Sequence, residues 1–162
     1  MLKTIYTIGV YGFSEELFFQ TLQKNEIDVV CDVRQRRGVR GSTYAFANSR
    51  RLQSRLTELG VAYIHRKDLA PTNDIRALQK IFDKREGVKK RTRTTLTPSF
   101  IQAYQENILS HLDVMEFVES LPFNAQRVAL LCVERYPEAC HRSLLAQALS
   151  DELNLEIIHL KP

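Results

Sequence analysis

The residues best equipped for chemistry lie close together near the end of the chain. Leu130-Leu131-Cys132-Val133-Glu134 is an apolar run ending in a thiol and a carboxylate, and Cys140-His141-Arg142 follows after a short turn. The pattern predicts a strand tip facing a helix that Pro137 opens, the place where parallel α/β proteins bind ligands. Glu134 is then a candidate general acid or base. Cys140, expected about one turn into the helix, is a candidate nucleophile, because the helix dipole and Arg142 favour its thiolate. His141 suits proton transfer near neutral pH, and Arg142 suits an anion. The plainer alternative is that Cys140 fills core space, as free cysteines commonly do. Cys132, deeper in the strand, is weighed between filler and ligand contact, with filler favoured.

A second strand tip carries a similar pair. Residues two apart in a strand share a face, so Asp32 and Arg34 share one, as do Cys132 and Glu134. If these strands are neighbours, the four polar groups converge with Gly9 at the end of the first strand. Asp32 joins Glu134 as a candidate acid or base, and Arg34 joins Arg142 as an anion holder. Arg34, Arg36, Arg37 and Arg40 occupy one loop, with Tyr44 and Phe46 close behind. Arg37 and Tyr44 are candidate ligand contacts, by guanidinium–phosphate pairing and stacking. A second basic run, Lys84, Arg85, Lys89, Lys90, Arg91 and Arg93, is offset only by Glu86; a solvated loop is the favoured reading there. No metal is expected: adjacent helix residues diverge by about 100°, which keeps Cys140 and His141 from sharing an ion with Cys132. Cys31 and Arg37 match the spacing of a phosphate-cradling thiol loop, but Cys31 falls mid-strand and no helix start follows directly, so chance explains the match.

Positioning these groups requires strands over residues 4–10, 27–33, 61–65, 127–133 and 155–160. Helices are expected over 15–24, with Ser14 as N-cap and Leu17, Phe18, Thr21 and Leu22 inward, and over 47–59, ended by Gly60. Further helices are expected over 73–85, 98–112, 114–121 and 137–153. Strands alternating with helices predict a three-layer, Rossmann-like α/β fold: a mostly parallel sheet of about five strands, helices on both faces. Residues 1–162 read as a single domain, with a mobile basic insertion at about 84–95.

Bulk composition limits the function classes. The 162 residues are 44% hydrophobic and 26% charged, which fits one globular core and not a disordered chain. The net charge of +4 permits an anionic partner without requiring one. Three cysteines without regular spacing are no disulfide framework, and a reducing compartment suits them. The N-terminus lacks a signal-peptide pattern, and no apolar run has membrane-spanning length. A cytoplasmic protein without membrane contact is expected.

Along nearly its whole length the chain resembles the domain of unknown function 488 family. The matching pieces are Tyr6-Thr7-Ile8-Gly9, Val30-Cys31-Asp32-Val33-Arg34, Gly60-Val61-Ala62-Tyr63, Leu130-Leu131-Cys132-Val133-Glu134, Cys140-His141-Arg142-Ser143-Leu144-Leu145 and Ile158-His159-Leu160. The resemblance implies a compact Rossmann-like domain without an established activity or cofactor. Its signature residues fall on Gly9, Asp32, Arg34, Cys132, Glu134, Cys140, His141 and Arg142. Two departures stand out: Val10-Tyr11 replaces the family's His-Ser after the first glycine, and Cys31 replaces an apolar residue. The expected partner is a small anionic, nucleotide-like or phosphorylated ligand at the strand edge, either converted there or only sensed. The alternative is a nucleic-acid-binding module using the loops at 34–46 and 84–93.

Overall fold

The computed structural model describes residues 1–162. Five strands, β1 (Thr4–Gly9), β2 (Val29–Asp32), β3 (Ala62–His65), β4 (Arg127–Cys132) and β5 (Glu156–Leu160), form one all-parallel sheet in the order β3-β2-β4-β1-β5. Val128, Ala129, Leu130 and Leu131 of β4 have no exposed surface. Their unbroken apolar run is what a central strand covered on both faces requires.

Six helices accompany the sheet: α1 (Glu15–Lys24), α2 (Ser49–Glu58), α3 (Asn73–Glu86), α4 (Pro98–Asn107), α5 (Val114–Ser120) and α6 (His141–Leu153). On one face Phe18, Phe19 and Leu22 of α1 and Leu52 and Leu56 of α2 pack with Ile8, Val30 and Leu131. On the other, Phe117 of α5 and Leu145, Ala146 and Leu149 of α6 pack with Ile5, Val29 and Leu130. The result is the three-layer arrangement expected from strand–helix alternation. Ile75 of α3 and Phe100 and Tyr104 of α4 make a smaller cluster against Leu144 of α6. Ser14, Thr72, Thr97 and Asp113 cap α1, α3, α4 and α5 by accepting a backbone N–H three residues on.

Several expectations shift locally. Phe19, not Thr21, faces inward on α1, and Leu17 is 41% exposed, because the helix turns its aromatic pair toward Phe46. The helix expected over 98–112 stops at Asn107 and continues as a single 3-10 turn, Leu109–His111. Residues 84–86 belong to α3, which Gly87 ends in the left-handed conformation at φ 67°. At the other end of the chain, residues 137–139 form a 3-10 turn, and Cys140 (φ −142°, ψ 142°) is the extended N-cap of α6. It therefore stands before the helix, not one turn inside it. No helix is long and apolar enough to cross a membrane.

Candidate functional site

The chain leaves β1 toward β2 and leaves β4 toward β5, in opposite directions from adjacent strands. Open parallel sheets place their ligand crevice at such a point. Gly9 ends β1 there, registered with Cys132. A Cβ at Gly9 would collide with the Glu134 carbonyl and press on the Arg142 guanidinium. Packing thus accounts for this glycine: it lets the two strand ends close. Arg142 sits in the gap, fully buried, and donates from Nη1 to the Glu134 carbonyl (2.6 Å) and from Nη2 to the Arg135 carbonyl (3.2 Å). No carboxylate pairs with it, and its Nε has no partner.

β2 and β4 are neighbours, as convergence demanded, yet no hydrogen bond or ion pair joins the two polar pairs, although Cys132 stays close enough to Arg34 to act on its charge. Asp32 is registered with Leu131 and so shares the face packed by α1 and α2; Cys132, one residue on, meets His141 at the start of α6, its Sγ 3.9 Å from Nδ1. Asp32 accepts from Arg34 Nε (2.9 Å) and Nη2 (2.8 Å), from the Arg34 backbone N–H (3.1 Å) and from the Tyr63 hydroxyl (2.7 Å). Burial opposes the Arg34 charge, but the hydrogen bonds and charge of Asp32 outweigh it and raise the guanidinium further above its ordinary range. Arg34 Nη1 is buried without a partner.

In the second pair, Glu134 is 5% exposed. Its Oε1 accepts from Arg93 Nη2 at 3.0 Å, with Lys90 Nζ at 3.6 Å, and its Oε2 accepts from the Cys132 thiol at 3.1 Å. Burial disfavours the Glu134 charge, yet Lys90, Arg93, His141 and the Cys132 thiol together hold the carboxyl well below its usual range. Glu134 is therefore a carboxylate at neutral pH. It can accept a proton or hold a cation, and it has none to donate. Burial, with Cys140 and Glu134 beside it, pushes the Cys132 thiol well up. His141 Nε2 lies 2.9 Å from the Val33 carbonyl, and its Nδ1 lies 3.9 Å from Cys132 Sγ and 3.7 Å from Cys140 Sγ. Burial works against the imidazolium; Cys132, Glu134 and the Val33 carbonyl work for it and leave its pKa raised. Cys140 is 1% exposed. An attack by its sulfur on a ligand from solvent would require the cover above it to move.

The basic segment is solvated over Lys84, Arg85, Lys89, Lys90 and Arg91, as expected, and packs inward at Arg93, whose Nε donates to the Ala139 carbonyl at 3.4 Å. Arg93 bridges Asp83 (2.7 Å) and Glu134, and Arg91 lies over the rings of Tyr11 (5.3 Å) and Tyr44 (5.2 Å). Tyr44 also accepts a hydrogen bond from the Gly12 N–H, tying the two loops together. Arg37 reaches the Tyr63 hydroxyl at 3.5 Å. Cys31 is fully buried within β2, and no helix starts directly after the loop, which agrees with reading the Cys31–Arg37 spacing as chance. Sequence reasoning missed Tyr63, Asp83 and Gln79. A signal existed for the last two: Ile75, Gln79 and Asp83 recur at four-residue spacing, so a polar pair continues the apolar stripe of α3.

The premise that kept a metal out is also changed. Because Cys140 is an extended N-cap, the angular divergence of successive helical side chains does not apply, and the Cys132, Cys140 and His141 donor atoms all lie within 4.8 Å of one another.

Fold and edge place the protein among doubly wound parallel α/β proteins with a polar site at the strand C-termini. More particularly, the family model described as Domain of unknown function DUF488 matches residues 14–149, and the chain belongs to that family. The matched span holds Asp32, Arg34, Cys132, Glu134, Cys140, His141 and Arg142; Gly9 lies just outside it. No curated protein and no solved structure matches the chain.

Proposed function

We propose that the strand edge binds an anionic, nucleotide-like or phosphorylated small ligand on its outer tier, formed by Arg37, Tyr44, Lys90 and Arg91. The supporting observation is unbalanced positive charge at the crevice. Arg37, Arg91 and Arg142 have no carboxylate partner, whereas Arg34 and Arg93 are matched by Asp32, Asp83 and Glu134. Two of the unmatched guanidinium groups reach the surface beside tyrosines, where a phosphate can be paired and a planar base stacked. The buried tier below then holds this geometry. His141 and Glu134 are its groups able to move or accept a proton should the ligand be converted.

Calorimetric titration with adenosine monophosphate and with inorganic phosphate at low salt tests the reading. Saturable binding that Arg91→Ala and Arg37→Ala each weaken by roughly tenfold, about 1.4 kcal/mol, is the expected result. No heat with either probe overturns it. A second reading rests on the exposed Lys84, Arg85, Lys89 and Lys90 beside Arg91 and its two tyrosines: a track for single-stranded nucleic acid. Oligonucleotide anisotropy with a steep salt dependence, in the absence of mononucleotide binding, would select it.

A further inference from the structure

The geometry points to a zinc-class divalent metal site formed by Cys132 Sγ, Cys140 Sγ and His141 Nδ1 at the junction of β4 and α6. Tetrahedral zinc holds sulfur at about 2.3 Å and imidazole nitrogen at about 2.0–2.1 Å, which sets the ligand–ligand edges at roughly 3.5–3.8 Å. The two sulfur–nitrogen separations here are 3.9 and 3.7 Å, and all three donors lie within 4.8 Å of one another. Small side-chain adjustments therefore close the set around one ion.

The surroundings of the histidine are those of a ligand. Its Nε2–H donates to the Val33 carbonyl at 2.9 Å, so in the neutral ring Nδ1 carries the lone pair, and that nitrogen faces the two sulfurs. Metal-binding histidines commonly have their other nitrogen held in this way, so that the ring is oriented before the ion arrives. The Tyr104 ring, 5.4 Å from the imidazole, restricts it further, and Tyr104 is itself anchored by its hydroxyl to the Leu69 carbonyl. Soft thiolate and imidazole donors together suit Zn2+ in preference to Mg2+ or Ca2+.

Charge balance favours occupancy as well. Zn2+ with two thiolates and a neutral imidazole carries no net charge, so loading adds no charge to a cluster whose three residues are 1–5% exposed. Glu134 Oε2 accepts a hydrogen bond from the Cys132 thiol at 3.1 Å when no metal is bound, and loading the ion releases both thiol protons to solvent. Once that sulfur is a thiolate, the carboxylate is free to turn its oxygen toward the ion or toward a water on it. The protein then provides three ligands and keeps a carboxylate beside the fourth position.

The reduced full-length protein, titrated anaerobically with Co2+, tests this inference. The expected result is saturation at one ion per chain, with thiolate-to-cobalt charge transfer in the near ultraviolet and intense tetrahedral bands in the visible. One equivalent of Zn2+ bleaches both. Cys140→Ser and His141→Asn weaken binding about tenfold or more, while Cys31→Ser, at a buried thiol outside the cluster, keeps the full signal. A pale octahedral spectrum, or a signal lost in Cys31→Ser and kept in Cys140→Ser, overturns the site. Because the ligand variants also disturb packing, the unaltered protein supplies an independent readout. Stoichiometric Zn2+ should raise its thermal midpoint and a chelator should reverse the rise; an unmoved midpoint counts against the site.

Discussion

Replacing Arg93 with methionine tests how the basic segment is held over the strand edge. Arg93 is 11% exposed and donates to two carboxylates of similar burial, Asp83 at 2.7 Å and Glu134 at 3.0 Å. Methionine keeps much of the volume and removes the charge. Asp83 retains only Gln79 Nε2 at 2.8 Å, and Glu134 retains the Cys132 thiol and a distant Lys90. Removing one partner of a buried ion pair costs about 3–5 kcal/mol. For a chain of this size each kcal/mol moves the thermal midpoint by roughly 2–4 °C, so the midpoint should fall by about 6–20 °C. Lys90→Met is the control: Lys90 is 44% exposed and 3.6 Å from Glu134, so its loss should stay within about 1 kcal/mol. Thermal and urea denaturation followed by circular dichroism, from pH 7 down to pH 2.5, are the assays. Glu134 has a folded-state pKa below its usual value. Its paired carboxylate therefore stabilises the protein fully above the unfolded value of about 4.3, and that stability is lost progressively as pH falls below it. The gap between wild type and Arg93→Met should accordingly hold down to about pH 4 and narrow below it. A variant that unfolds with the wild type at pH 7, or a gap that does not change with pH, would refute the bridge.

Gly9→Ala should destabilise by about 1–3 kcal/mol in the same assay, since its Cβ meets the Glu134 carbonyl and Arg142; an unchanged urea midpoint would show that the strand ends are not in close contact. Asp32→Asn should cost about 3–5 kcal/mol by stranding Arg34. The double variant Asp32→Asn/Arg34→Met should recover part of that loss, and strictly additive effects in the cycle would exclude the pair. Thr97→Ala should cost about 1 kcal/mol through the α4 cap, where Thr97 Oγ1 accepts the Phe100 N–H at 3.2 Å; loss of more than twice that would mean the residue does more than cap.

The sheet and its helices were legible because they follow from local regularities. Unbroken apolar runs at Val29-Val30-Cys31 and Val128–Leu131 require strands covered on both faces. Ser14 marks a helix start by its side-chain hydroxyl, and Gly60 marks a helix end by its left-handed backbone. The pairing of Asp32 with Arg34 and of Cys132 with Glu134 was also readable, since alternation along a strand puts residues two apart on one face. What the sequence could not supply is which separate segments meet. The register of β2 against β4 put Asp32 opposite Leu131 and not opposite Cys132, so no hydrogen bond joins the two expected polar pairs. The one-residue difference between a helical and an extended Cys140 turned two diverging side chains into donors 3.7 Å apart. Arg93 finds Glu134 across 41 residues, and Tyr63 finds Asp32 across 31. Contacts of that separation depend on how whole elements pack, and no spacing along the chain encodes them.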